Sequence, residues 1–160
     1  MKPEDLPAQI AALLVQRGQT VCVAETAAGG LISAALVAVP GASVWFLGGA
    51  VAYGGLAKVR WLGLEAGAFT PDGVVSPSGA QTLARAARDS LGATWGLAEV
   101  GIAGPQTGRR SRKGAGLAYV AVSGPWEAWR EVRTGEDQRV TNQGAFALAA
   151  LQLLREALAR

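Results

Sequence analysis

The sequence predicts an α/β fold, a three-layer α/β/α sandwich around a mostly parallel mixed sheet. Short β-rich runs alternate with apolar stretches of helical spacing, and most of the early runs end in small-residue turns: TAAGG, GG and GPQTG. Half of the 160 residues are hydrophobic and 17% are charged, which is the composition of one compact domain. No linker, repeat or low-complexity tract divides the chain, so a single domain over 1–160 is expected.

The elements follow in order. Residues 4–17 place Leu6, Ile10, Leu13, Leu14 and Val15 at helical spacing, with Gly18 where a C-terminal cap belongs. TVCVAE is a first strand and LISAALVAV a buried helix ended before Pro40. VWFLGGAVAY is a second strand, and LAKVRWLGL a short helix carrying Lys58 near its beginning. After the turn-rich PDGVVSPSG, Ser76 as N-cap and Pro77 in the first turn open a helix to about Leu91. WGLAEVGIA is a third strand. GLAYVAVSG and GPWEAWREVRT form a strand pair with an antiparallel member, and residues 138–159 form the closing helix.

Composition excludes several chemistries. The chain has no histidine and one cysteine, so Ser-His-Asp triads, Cys-His dyads and zinc sites built from His and Cys are ruled out, and no metal is expected. Cys22 reads as a small buried hydrophobe in a strand. The net charge is +3, but Arg109, Arg110, Arg112 and Lys113 carry four positive charges, and subtracting them leaves −1 for the remainder. That local basic loop lacks interleaved aromatics or a recognised reading module, so nucleic acid is not the expected partner. The uncharged run from Thr26 to Ala57 is broken by Pro40, Gly41, Gly48 and Gly49, which argues against a membrane span. Glu4 and Asp5 stand where a signal peptide needs basic residues, and a cytoplasmic location is expected.

In such sheets ligands bind beyond the carboxyl ends of the parallel strands. That rule selects Glu25 to Gly30, Tyr53 to Lys58, and Gly101 to Gly108. Their glycines allow close backbone approach, and the helices after the first two offer N-terminal ends suited to an anion. With histidine absent, a lysine desolvated enough to lose its proton is the remaining base for a hydroxyl near neutral pH, and Lys58 is the best placed.

The blocks VAETAAGG, VPGASVWFLGGAVAYGGLAK, DGVVS, VGIAGP and KGAGLAYVA, in order and spacing, resemble the C-terminal domain of the CinA (competence/damage-inducible) proteins, the nicotinamide mononucleotide amidohydrolase family. The resemblance covers residues 4 to about 158. It implies an α/β/α fold with a mixed sheet, often dimeric, that hydrolyses a pyridine nucleotide carboxamide to nicotinic acid mononucleotide and ammonia with no metal or organic cofactor.

Carried over by position, the functional residues fall on Ser43, Tyr53 and Lys58, with binding blocks at Glu25, Gly29 and Gly30 and at Gly101, Ala103, Gly104 and Pro105. The chain departs from the pattern at Thr26, Ala27 and Ala28, at Gly54, Gly55 and Leu56, at Val100, and at Gln106 to Gly108. An arginine expected near the start of the final helix reads as replaced around Asp137 or Thr141.

The mechanism then implied has neutral Lys58 take a hydroxyl proton, the oxygen attack the carboxamide, and N–H groups of the Gly turns stabilise the oxyanion. Which hydroxyl attacks stays open. Ser43 precedes the second strand and Lys58 follows it, so eight extended residues would part them by ~26 Å. A bend at Gly48-Gly49, the Ser43 of a second subunit, or Thr26 on the neighbouring loop would each resolve this. The alternative function is a degenerate member that binds a nucleotide, or serves a dimeric structural role, without turnover.

Overall fold

A computed structural model of the chain describes residues 6–69, 73–108 and 112–160. The elements are α1 (Leu6–Arg17), β1 (Val21–Glu25), α2 (Leu31–Val37), β2 (Phe46–Val51), α3 (Gly55–Leu62), α4 (Pro77–Leu91), β3 (Trp95–Ile102), β4 (Leu117–Ser123), β5 (Ala128–Arg133) and α5 (Arg139–Leu158). The strands form one sheet in the order β2-β1-β3-β4-β5. β1 pairs parallel with β2 and β3, whereas β3–β4 and β4–β5 are antiparallel, so β4 alone runs against the other four. This is the predicted mixed α/β sheet.

Alternation along the strands separates two cores. Val21, Val23, Leu97, Val120 and Val122 meet Leu6, Ile10 and Leu14 of α1, Ile32 and Leu36 of α2, and Leu151, Leu154 and Leu158 of α5. On the opposite face Cys22, Ala24, Ala98, Val100 and Ala121 meet Leu62 of α3 and Ala80, Leu83, Ala84 and Ala87 of α4. Each fully buried Leu or Ile contributes about 1.5–3 kcal/mol of transfer free energy. Trp45 and Trp95 belong to the first core.

The stops and starts are local chemistry. Gly18, Gly63 and Gly92, each at positive φ, close α1, α3 and α4. Ser76 caps α4 by accepting from the Gly79 N–H at 3.0 Å, with Pro77 in the first turn. α2 and α3 end two residues earlier than the sequence predicts, and β2 is trimmed at both ends. The first helix is described from Leu6, so Glu4 and Asp5 lie outside the described residues, as do Arg109 and Arg110 of the basic loop. Among the described residues no helix is long and apolar enough to cross a membrane.

Candidate functional site

β1, β2 and β3 deliver three loops to one end of the sheet: residues 26–30, 52–58 and 103–108. Lys58, in the first turns of α3, is only 6% exposed. Its Nζ donates to the Tyr53 carbonyl oxygen at 2.8 Å. Burial pulls its pKa below that of a free lysine, and the Glu99 carboxylate opposes that pull. Thr26, directly after β1, is buried at the same end, and its Oγ1 has no hydrogen-bond partner.

Ser43 lies elsewhere. It is exposed in the 3₁₀ turn Ala42–Val44 before β2, at the end of the sheet where Val21 pairs with Phe46, while Lys58 lies past the end where Glu25 pairs with Val51. β2 runs from Phe46 to Val51 and does not fold back at Gly48-Gly49, so within one chain Ser43 and Lys58 stay apart. Tyr53 is 61% exposed, and what it offers Lys58 is its backbone carbonyl. Its hydroxyl accepts instead from Arg139 Nη2 at 2.9 Å.

The first turn is filled by the protein's own carboxylates, which corrects two expectations. Glu25 accepts from the N–H groups of Gly30, Ile32 and Ser33 at 2.8–3.0 Å and from the Ser33 hydroxyl at 2.6 Å. The start of α2 therefore holds Glu25 where an external anion was expected. Glu99 Oε2 takes the Thr26 and Ala28 N–H groups at 3.1 and 2.8 Å, and Gly29 and Leu31 donate to Thr26 and Ala28 carbonyls. In this one of the Gly turns the amides of Thr26, Ala28, Gly29 and Leu31 are therefore engaged within the protein rather than free for an oxyanion.

The third turn is shaped by packing. A Cβ on Gly101 would stand 2.7 Å from Ala118 Cβ and 2.9 Å from Phe146 Cε2, and one on Gly104 would stand 2.7 Å from Ala115 Cβ. Both glycines are thus required by neighbouring side chains. The Ala103 carbonyl accepts from Asn142 Nδ2 and the Gly104 carbonyl from Arg139 Nη1, each at 2.9 Å, while Pro105 is exposed. At the first turn Gly29 and Gly30 adopt φ of +67° and +101°, and Gln143 Nε2 donates to the Ala27 carbonyl at 2.9 Å. Val100 is buried against the α4 side.

Two residues escaped the sequence reading. Arg139 is the first residue of α5, so an arginine does stand near the start of the final helix, two residues from Asp137 and from Thr141. Glu99, which the sequence shows only as one acid within a strand, is fully buried in this site. Desolvation raises its pKa to about 7, the Thr26 and Ala28 N–H bonds and Lys58 opposing and Glu25 adding to the rise. Among the described residues no cluster of three or more His, Cys, Asp or Glu is arranged to hold a metal ion. A shallow groove of about 500 Å³ between the end of α3 and α4 is lined by none of the predicted site residues.

The fold and site together define an α/β domain with a buried lysine over the carboxyl edge of a mixed sheet. Residues 3–158 match the CinA C-terminal domain, and the chain belongs to that family. It is 41% identical over 157 residues to a CinA-like protein of Anaeromyxobacter sp. (strain K), covering 97% of this chain and 38% of that protein. It is 44% identical over 122 residues to a CinA-like protein of Prochlorococcus marinus (strain MIT 9313), covering 76% of this chain and 28% of that protein. The chain thus spans well under half the length of these curated relatives.

Among solved structures it is similar to the competence/damage inducible protein CihA from Agrobacterium tumefaciens, with TM-score 0.89, 32% identity and coverage of 99% and 96% of the two chains. The competence damage-inducible protein A (ComA) from Klebsiella pneumoniae subsp. pneumoniae MGH 78578 superposes with TM-score 0.91 at 26% identity, covering 100% and 99%.

Proposed function

We propose that this domain is an amidohydrolase converting nicotinamide mononucleotide to nicotinic acid mononucleotide and ammonia. The observation that carries the proposal is Lys58: a lysine almost wholly removed from solvent, its pKa lowered by that burial, at the ligand-binding edge of the sheet. A neutral amine there takes the proton of an attacking hydroxyl. The oxygen adds to the carboxamide carbon, Lys58 returns the proton to the departing ammonia, and water cleaves the resulting ester.

Thr26 carries a buried, unpartnered hydroxyl at the same end of the sheet as Lys58. Ser43 serves only if a second copy presents it, and exposed Val44 in the same 3₁₀ turn, Leu47 and Val51 along the edge strand, and Leu56 and Trp61 on α3 support such a pairing. Arg139 offers positive charge for a substrate phosphate beside Tyr53. The test is ammonia release from nicotinamide mononucleotide. Lys58→Met should lower kcat by about 10²–10⁴-fold, the usual contribution of a proton-transfer group. Wild type no faster than the variant ends the proposal.

A second reading has its own observation. With the turn's amides held by Glu25 and Glu99, the domain binds a nucleotide without turnover. Calorimetric binding of nicotinamide mononucleotide with no ammonia between pH 6 and 9 would favour it.

A further inference from the structure

Glu99 has no part in the reaction as written above. It follows Trp95 and Leu97 by alternation on the face that α1, α2 and α5 cover, and its side chain is wholly buried. Oε2 is saturated by the Thr26 and Ala28 amides, whereas Oε1 has no partner. Thr26 Oγ1, on the residue whose amide Glu99 holds, is also unpartnered. An unsatisfied buried acceptor is costly, and here two such oxygens belong to one turn and the residue that anchors it.

Few charges reach Glu99. Glu25 on β1 and Lys58 on α3 act on it. Arg139 of α5 is held by the Gly104 carbonyl and the Tyr53 hydroxyl. Arg85 and Arg88 of α4, across the sheet, are engaged with Glu127, Asp89 and Ser123, and the residue opposite on β4 is Val120. Glu25 has both carboxylate oxygens occupied by the start of α2. Lys58 makes no direct ion pair with Glu99, but both are buried at one end of the sheet. Ala24 pairs with Ala98 and Glu25 with Val51, Glu99 holds the Thr26 amide just past β1, and Lys58 Nζ holds the Tyr53 carbonyl just past β2. That puts each within electrostatic reach of the other.

We propose that Glu99 is a positioning residue of this site: Oε2 pins the turn that carries Thr26, and its charge is the counter-ion for the ammonium that Lys58 becomes on accepting the hydroxyl proton. The inference rests on the amidase reading for its chemistry, but its electrostatic part can be measured without turnover. Proton balance is simple: the proton leaves the hydroxyl oxygen for Lys58 Nζ, and Glu99 gains and loses none.

The test uses Glu99→Gln, which keeps an acceptor for the two amides and removes the charge. By NMR, the Lys58 amine titration midpoint should fall by about half a pH unit or more, because the neighbouring negative charge is gone. Ammonia release should lose about tenfold or more in kcat with KM little changed, as for an interaction made in the transition state. Glu99→Asp should restore the Lys58 midpoint towards wild type.

An unchanged Lys58 midpoint in folded Glu99→Gln overturns the proposal. Should that variant not fold, wild type decides: the Thr26 and Ala28 amide protons and the Lys58 amine should respond to a common titration between pH 5 and 9, and flat signals overturn it. A wild type that shows the common titration but releases no ammonia keeps Glu99 as counter-ion of Lys58 and removes the amidase reading alone.

Discussion

Glu99 carries a stability cost whose sign follows from its pKa. Its native pKa of about 7 exceeds the ordinary glutamate value of 4.5, so between those two pH values the native state holds more protons than the unfolded state. Stability therefore falls as pH rises from 4.5 through 7, and the loss is complete above 7. Removing the charge should stabilise the protein at pH 8, by on the order of 3 kcal/mol, and matter little near pH 4. Urea unfolding of wild type and Glu99→Gln at both pH values checks this, and equal differences at the two would contradict it. Glu127 behaves oppositely, with a pKa lowered to about 2 by hydrogen bonds from Arg85 and Ser123. Its contribution is present above the usual carboxylate range and disappears as pH falls towards 2. Being partly exposed, it is a small term.

Single contacts set how the elements meet. Ser76 Oγ accepts the Gly79 N–H and donates to the Gly73 carbonyl at 2.8 Å, tying the start of α4 to the preceding loop. Ser76→Ala should cost about 1 kcal/mol in urea unfolding. β3 must pass close to β4 and α5 at Gly101, where a methyl would strike Ala118 and Phe146. Gly101→Ala should therefore destabilise by about 1–3 kcal/mol, the usual cost of overpacking. A Gly101→Ala protein that kept wild-type stability and lost only ligand affinity would instead return that glycine to a ligand-contact role. Both readings were open in the sequence, because a glycine at a strand's end looks the same whether its missing side chain makes room for a ligand or for a phenylalanine.

For the whole molecule, the proposed pairing of two copies through edge strand β2 predicts a dimer in sedimentation, and Leu47→Lys should shift it towards monomer. What the sequence disclosed follows the range of the forces involved. Caps and turns are local, so Gly18 and Ser76-Pro77 marked helix ends within a residue or two of those observed. Burial of an acid is not local. Glu99 is enclosed because β3 lies centrally in the sheet and the Thr26–Ala28 turn folds over it, neither of which any window of WGLAEVGIA encodes. The separation of Ser43 from Lys58 was legible, since it needs only the length of an extended strand.

The opening turns of α5 touch all three loops of the site: Gln143 reaches the Ala27 carbonyl, Arg139 the Tyr53 hydroxyl and Gly104 carbonyl, and Asn142 the Ala103 carbonyl. Segments far apart along the chain are thereby latched by one helix, so they should unlock as a single cooperative event. In hydrogen–deuterium exchange, Asn142→Ala should quicken the amides of residues 26–30 together with those of 103–105, and uncoupled rates would mean that each loop breathes by itself.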